Sequence, residues 1–177
     1  MKNTLQSLVV PIIVIASAVL MRIVPHPPNF APIGALALFS GAHLDKKSRF
    51  IIPLSAMLLS DVFIRIHANM PFVYLSFILI ILIGSWLKNN SSGYKLFAIT
   101  LLSSVLFFVI TNFGVWAITD MYAKNLSGLM QSYLMGIPFF RNTLLSDFLF
   151  TFSLFYGYRF INSLVSQIFT RSYRNLA

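Results

Sequence analysis

The sequence predicts an all-α integral membrane protein with about six transmembrane helices, on three observations. The chain is 58% hydrophobic and 10% charged, with a mean hydropathy of +0.82. Soluble chains average about 25% charged residues, so this composition cannot clothe a folded surface in water. Its apolar residues gather into long segments divided by turn chemistry, and most of its 13 Lys and Arg lie between or beyond those segments rather than along one face.

Six segments qualify: Leu5–Val24, Asn29–His43, Phe50–Ile66, Pro71–Leu87, Leu96–Ile118 and Asn142–Phe160. The first begins like a signal peptide, with Lys2, an apolar run and Ala16-Ser17-Ala18. The run continues through Val19, Leu20 and Met21, which favours an uncleaved helix. The second is short for a crossing and depends on tilt, thinning or burial inside the bundle. Between the segments stand His26-Pro27-Pro28, Asp45-Lys46-Lys47-Ser48, Asn69-Met70-Pro71 and Asn89-Asn90-Ser91-Ser92-Gly93, all turn signals. No linker or low-complexity tract divides the chain, so residues 1–177 read as a single transmembrane domain.

The stretch Ala123–Pro138 differs from the rest. Leu126, Leu129, Met130, Tyr133 and Leu134 recur at helical spacing beside polar Lys124, Ser127 and Gln131, and Gly136 and Pro138 close the pattern. It predicts an amphipathic surface or re-entrant segment before the last helix, either a lid over a binding site or a plain connector.

Charge orients the bundle. Six crossings put both termini on the side of the loops at Asp45–Arg49 and Lys88–Lys95. That side collects Lys2, Lys46, Lys47, Arg49, Lys88, Lys95, Arg171 and Arg174, plus Arg159 near a helix end, while Arg22, Arg65, Lys124 and Arg141 fall opposite. The positive-inside rule then places both termini in the cytoplasm and the protein in the cell inner (plasma) membrane. The same rule accounts for the net charge of +9 without a nucleic-acid partner. The absence of Cys excludes disulfides and thiolate chemistry.

Ionisable residues inside spanning segments are costly and mark candidate functional sites. Here they gather toward the predicted outer side. Asp61, Asn112, Trp116, Arg141, Asn142 and Asp147 are the predicted substrate-binding residues, with Arg22, His26, Asn29 and Arg65 as secondary candidates. Counting from the segment ends puts Asp61 and Asp147 roughly 8 Å below the outer boundary, with Asn112 at a similar depth. Asn112, Arg141 and Asn142 would donate hydrogen bonds, the aspartates would accept them or act as counter-ions, and Trp116 would stack.

Structural alternatives exist for each aspartate. Asp61 and Arg65 share a helix face and could neutralise each other; Asp147 could pair with Arg22 or Arg141 as interhelical glue. The aspartates also share a context, Leu58-Leu59-Ser60-Asp61 and Leu144-Leu145-Ser146-Asp147. Phe113, Trp116, Phe139 and Phe140 could form an aromatic wall or a lipid-facing belt. His26, His43 and His67 lack ligand-like spacing, so no metal site is predicted. Ala31-x-x-x-Ala35 and Ala37-x-x-x-Gly41 mark close helix contacts or a docking face. No GxxxxGK[ST], HExxH or GxSxG motif occurs, so neither an enzyme nor a self-powered pump is predicted, and no cofactor.

The blocks Pro25–Ala42, Pro53–Asp61, Thr111–Trp116 and Phe139–Asp147 resemble those of a bacterial family of small, uncharacterised six-helix proteins of transport type. That family in turn resembles the substrate-binding S components of energy-coupling factor (ECF) transporters. The resemblance implies an S-component-like bundle with a pocket near the outer face for a vitamin, a precursor or a similar heterocycle. It also implies a transmembrane coupling subunit with separate ATPases as partners. The docking motif of S components lies on helix one, where this chain offers only Ala16, Ser17 and Ala18. The expected function is substrate binding for small-molecule uptake. The competing readings are a membrane scaffold like those of the rod-shape machinery and a proton- or cation-coupled carrier using Asp61 and Asp147.

Overall fold

A computed structural model describes residues 15–64, 66–88 and 92–174, with side chains through Ser163. Among the described residues the protein is all-helical, without strands. The helices are α1 (15–23), α2 (Ile33–His43), α3 (Ser48–Ile64), α4 (Met70–Gly84, extended by a 3₁₀ turn at Ser85–Leu87), α5 (Gly93–Ile118) and α6 (Leu126–Arg174). Leu5–Val14 of the first predicted segment and Asn89-Asn90-Ser91 of a predicted turn lie outside the described residues.

Local chemistry sets most helix starts. Asp45 Oδ1 accepts from the backbone N–H of Lys47 (2.9 Å) and Ser48 (3.1 Å), anchoring the start of α3. Asn125 Oδ1 accepts from Gly128 N–H at 2.9 Å and caps α6, and Ser92 caps α5 through Lys95 N–H. These polar caps satisfy backbone donors that have no intrahelical acceptor.

The second predicted segment is not helical from its beginning. Phe30 N–H donates to Pro27 O at 3.0 Å and Asn29 has φ 62°. Pro at the second position and positive φ at the third match a type II turn. The helix therefore starts only at Ile33, and its 11 residues rise about 16 Å, half of a bilayer core of about 30 Å. Nine of them are buried, from Ile33 to Ala42, because α2 packs against α3, α4, α5 and α6. Ala35 and Ala37 are fully enclosed, so these small residues serve packing within the chain.

The closest approach is between α2 and α4. A Cβ on Gly41 would stand 2.0 Å from Ile81 O, and one on Gly84 would stand 2.4 Å from Leu38 O. Backbone meets backbone there, and only hydrogen fits. Phe77, Ile80 and Ile81 of α4 join Leu36, Leu38, Ala56, Met57, Leu96 and Phe155 in the core.

The last predicted helix is longer than expected. Leu126–Arg174 is one helix of 49 residues, with Pro138 inside it, so Gly136 and Pro138 do not end it and Ala123–Pro138 is no separate surface segment. An interior proline costs on the order of 3 kcal/mol, and docking onto α5 offsets this. Ser132 Oγ donates to Asn112 O (3.1 Å), Tyr133 Oη donates to Val109 O (3.1 Å), and Phe108 lies 4.6 Å from the Phe140 ring. Gly136 faces the Asn112 side chain.

Met70–Leu87 and Gly93–Ile118 are long and apolar enough to cross a membrane. Large apolar side chains also face outward on other helices, among them Leu58, Val62 and Phe63 on α3 and Leu145 and Leu149 on α6.

The Gly41/Gly84 crossing gives a direct test. Gly41→Ala and Gly84→Ala should each destabilise the protein in detergent by about 1–3 kcal/mol, the usual range for overpacking. Gly157→Ala, where a Cβ would meet nothing within 4 Å, should leave the unfolding midpoint unchanged or raised.

Candidate functional site

Because α2 is short, the bundle leaves a half-open cavity beyond its N-terminal end. The cavity, about 530 Å³, lies where α1, α3 and α5 finish and α2, α4 and α6 begin. Small-molecule sites run about 300–1,000 Å³ and are mostly apolar with a few placed polar groups. This one has that makeup. Its walls include Ile33, Val73, Phe77, Phe107, Met135 and Phe139, among which Arg22, His26, Asn29, Asn112 and Asp147 reach the surface.

Asp147 is the deepest of these charges, 5% exposed. Its Oδ2 accepts from Ser104 Oγ at 2.6 Å, and its Oδ1 lies against Gly34, where a Cβ would approach to 2.2 Å. Gly34 belongs to the first turn of α2, whose positive dipole end favours a carboxylate beside it. Asn112 is arranged in parallel. Its Nδ2 donates to Phe108 O at 2.8 Å, while its Oδ1 packs over Gly136, where a Cβ would come within 2.4 Å. Glycines on α2 and α6 thus make room for the polar side chains of α6 and α5.

Asp61 does not line the cavity. It forms an ion pair with Arg22 at 2.9 Å and accepts from Tyr74 Oη at 2.8 Å. Arg22 also donates to Ser60 Oγ at 2.6 Å. The cation on the cavity wall is therefore already matched by a carboxylate behind it. The alternative pairing with Arg65 cannot be followed, since Arg65 lies outside the described residues.

The other candidates separate. Asn142 donates to Pro28 O at 2.9 Å and, with Ser146 bonding Asn29 O at 3.4 Å, clamps the Pro27–Phe30 turn onto α6. Trp116 donates Nε1–H to Ala123 O at 2.9 Å and lies tilted beside Phe113, ring centroids 5.5 Å apart, outside the cavity lining. Arg141 is exposed and also outside the lining. Of the four aromatic residues singled out from sequence, Phe139 alone reaches the wall.

Asp147 and Asn112 do not share a level, contrary to the depth count. Asp147 bonds Ser104, and Asn112 stands eight residues, about 12 Å, further along α5. The count failed because it began the last helix at Asn142, whereas α6 begins at Leu126. Both line one cavity, at different levels.

Several wall residues escaped the sequence reading: Asn69, Thr111, Ser132 and Thr143. Asn69 stands at the N-cap position of α4 yet caps nothing there; its Nδ2 donates across to Thr111 O at 3.0 Å. The Asn-x-Pro turn signal concealed an interhelical bond. Among the described residues, no cluster of His, Cys, Asp or Glu could hold a metal ion.

A family model described as a family of unknown function (DUF6580) matches residues 2–168. The chain belongs to that family. No curated protein and no solved structure matches the chain. The DUF6580 match spans every helix that builds the cavity wall.

The Arg22–Asp61 pair supports a double-mutant cycle. Arg22→Met and Asp61→Leu should each lower stability by up to roughly 3–5 kcal/mol, since each strands a partly buried charge. The double variant should recover much of that loss in denaturant unfolding. Additive losses would show that the two side chains act independently.

Proposed function

We propose that this chain is the substrate-binding subunit of a small-molecule uptake system in the cell inner membrane. In this reading six helices cross the bilayer, both termini are cytoplasmic, and the cavity opens near the outer face. A transmembrane coupling subunit with separate ATPases supplies energy, as in the S components of ECF transporters. The substrate is a vitamin, a precursor or a similar heterocycle.

The observation that carries this reading is the cavity itself. Its volume of about 530 Å³ fits a small metabolite, and a buried carboxylate stands on an otherwise largely apolar wall. Such a group is costly in a bundle interior unless it has a task. The spread of basic residues supports the orientation, and the outward-facing apolar side chains support the lipid surroundings. Asn112 and Asp147 are the principal ligand contacts, with Arg22, His26 and Asn29 beside them. Asp61 holds Arg22 in place, and Asn142 holds the turn that carries Asn29.

The test is purification in mild detergent followed by extraction and mass spectrometry. The expected result is a stoichiometric small molecule that is absent from Asp147→Ala and reduced in Asn112→Ala, with both variants still monodisperse. A ligand retained in both variants would sink the site assignment. A stable membrane-protein partner with no saturable ligand would favour the scaffold reading, and pH-driven flux without an ATPase would favour the carrier.

A further inference from the structure

We infer that the cavity selects a ligand carrying a protonated nitrogen, which Asp147 receives, with an apolar or aromatic body lying against Phe77, Phe107 and Phe139. This rests on the binding-subunit reading and specifies the charge of the substrate.

Two observations lead there independently. The first is charge balance. Arg22, His26, His67 and Asp147 are the ionisable side chains on the wall besides Tyr122. Arg22 is held by Asp61 and Ser60, and both histidines are exposed. Among the described residues no cation lies within ion-pair distance of Asp147. An anionic ligand would meet a like charge at the deepest point of the cavity; a cationic one would meet its counter-ion in surroundings that strengthen the attraction.

The second is the cradle. Ser104 takes one carboxylate oxygen, and the other lies over Gly34, where any side chain would collide with it. The hydroxyl and the glycine fix the direction of the carboxylate. They orient the carboxylate without neutralising it, which leaves Oδ1 free of hydrogen bonds among the described residues. A protonated amine has N–H donors to supply that missing partner. The rings of Phe77, Phe107 and Phe139 suit an apolar body, and their faces attract cationic groups.

Three probes with one ring system and different side-chain charge test this: tryptamine, tryptophol and indole-3-acetate. Binding to the purified full chain is measured by calorimetry at neutral pH. Tryptamine should bind at least tenfold more tightly than tryptophol, and indole-3-acetate more weakly than either. Asp147→Asn should bring the tryptamine-to-tryptophol ratio to about one, and Gly34→Ala, which displaces the carboxylate, should reduce it in the same direction. A wild-type preference for tryptophol or indole-3-acetate would overturn the charge assignment and leave the binding-subunit reading standing. Binding of none of the three would overturn the assignment of an aromatic amine, while extraction and mass spectrometry decide the binding-subunit reading separately. The wild-type ratio decides the matter even if Asp147→Asn does not fold.

Discussion

The architecture depends on one short helix enclosed on nearly every side. With 11 residues, α2 rises about 16 Å, yet it is the element that α3, α4, α5 and α6 all touch. An enclosed helix has no surface for polar or bulky residues, and Ile33–His43 is correspondingly rich in Ala, Gly and Leu. The Gly41 and Gly84 contacts bring two backbones together, where dispersion adds up over many atoms. The space that α2 does not fill is the cavity. Its position follows from where the Pro27–Phe30 turn delays the helix.

Two aspartates in the same four-residue context show how far surroundings outweigh local sequence. Asp61 faces α1 and α4, where a guanidinium and a phenol meet it. Asp147 faces α5 and α2, where it finds one hydroxyl and a glycine. The first is a neutralised structural pair, and the second is a carboxylate presented to a void. The interior carries other polar groups as well. Ser40, Ser103 and Thr151 have buried hydroxyl oxygens without a hydrogen-bond partner among the described residues, each an expense of about 1–3 kcal/mol. Close packing around α2 has to outweigh those losses.

Candidate-site residues were legible in proportion to their chemical rarity. Asp147, Asn112, Arg22, His26 and Asn29 stand out in an apolar chain because polar groups are expensive there, and all five reach one cavity. Trp116, Arg141 and Asn142 are equally conspicuous, yet they serve a loop contact, the exposed surface and a turn clamp. Rarity marks a polar group as costly without saying which partner offsets the cost. Residues common in helices of every kind, such as Thr111 and Thr143, give no such signal, and neither do Gly34 and Gly136, whose role is to leave room.

By itself the sequence determined the helical class, the order of the helices and the turns between them. Those follow from apolar segment length and from residues such as Pro28, Asp45 and Ser92, whose preferences act within a few positions. Tertiary structure decided where α6 begins, which residue pairs with Asp61, and that Asp147 and Asn112 reach one cavity at different levels. Pro138 argues locally for a break, but packing of Ser132, Tyr133 and Gly136 along α5 outweighs it. The partner of a buried charge is likewise chosen by helices distant in sequence, so no local pattern could name it.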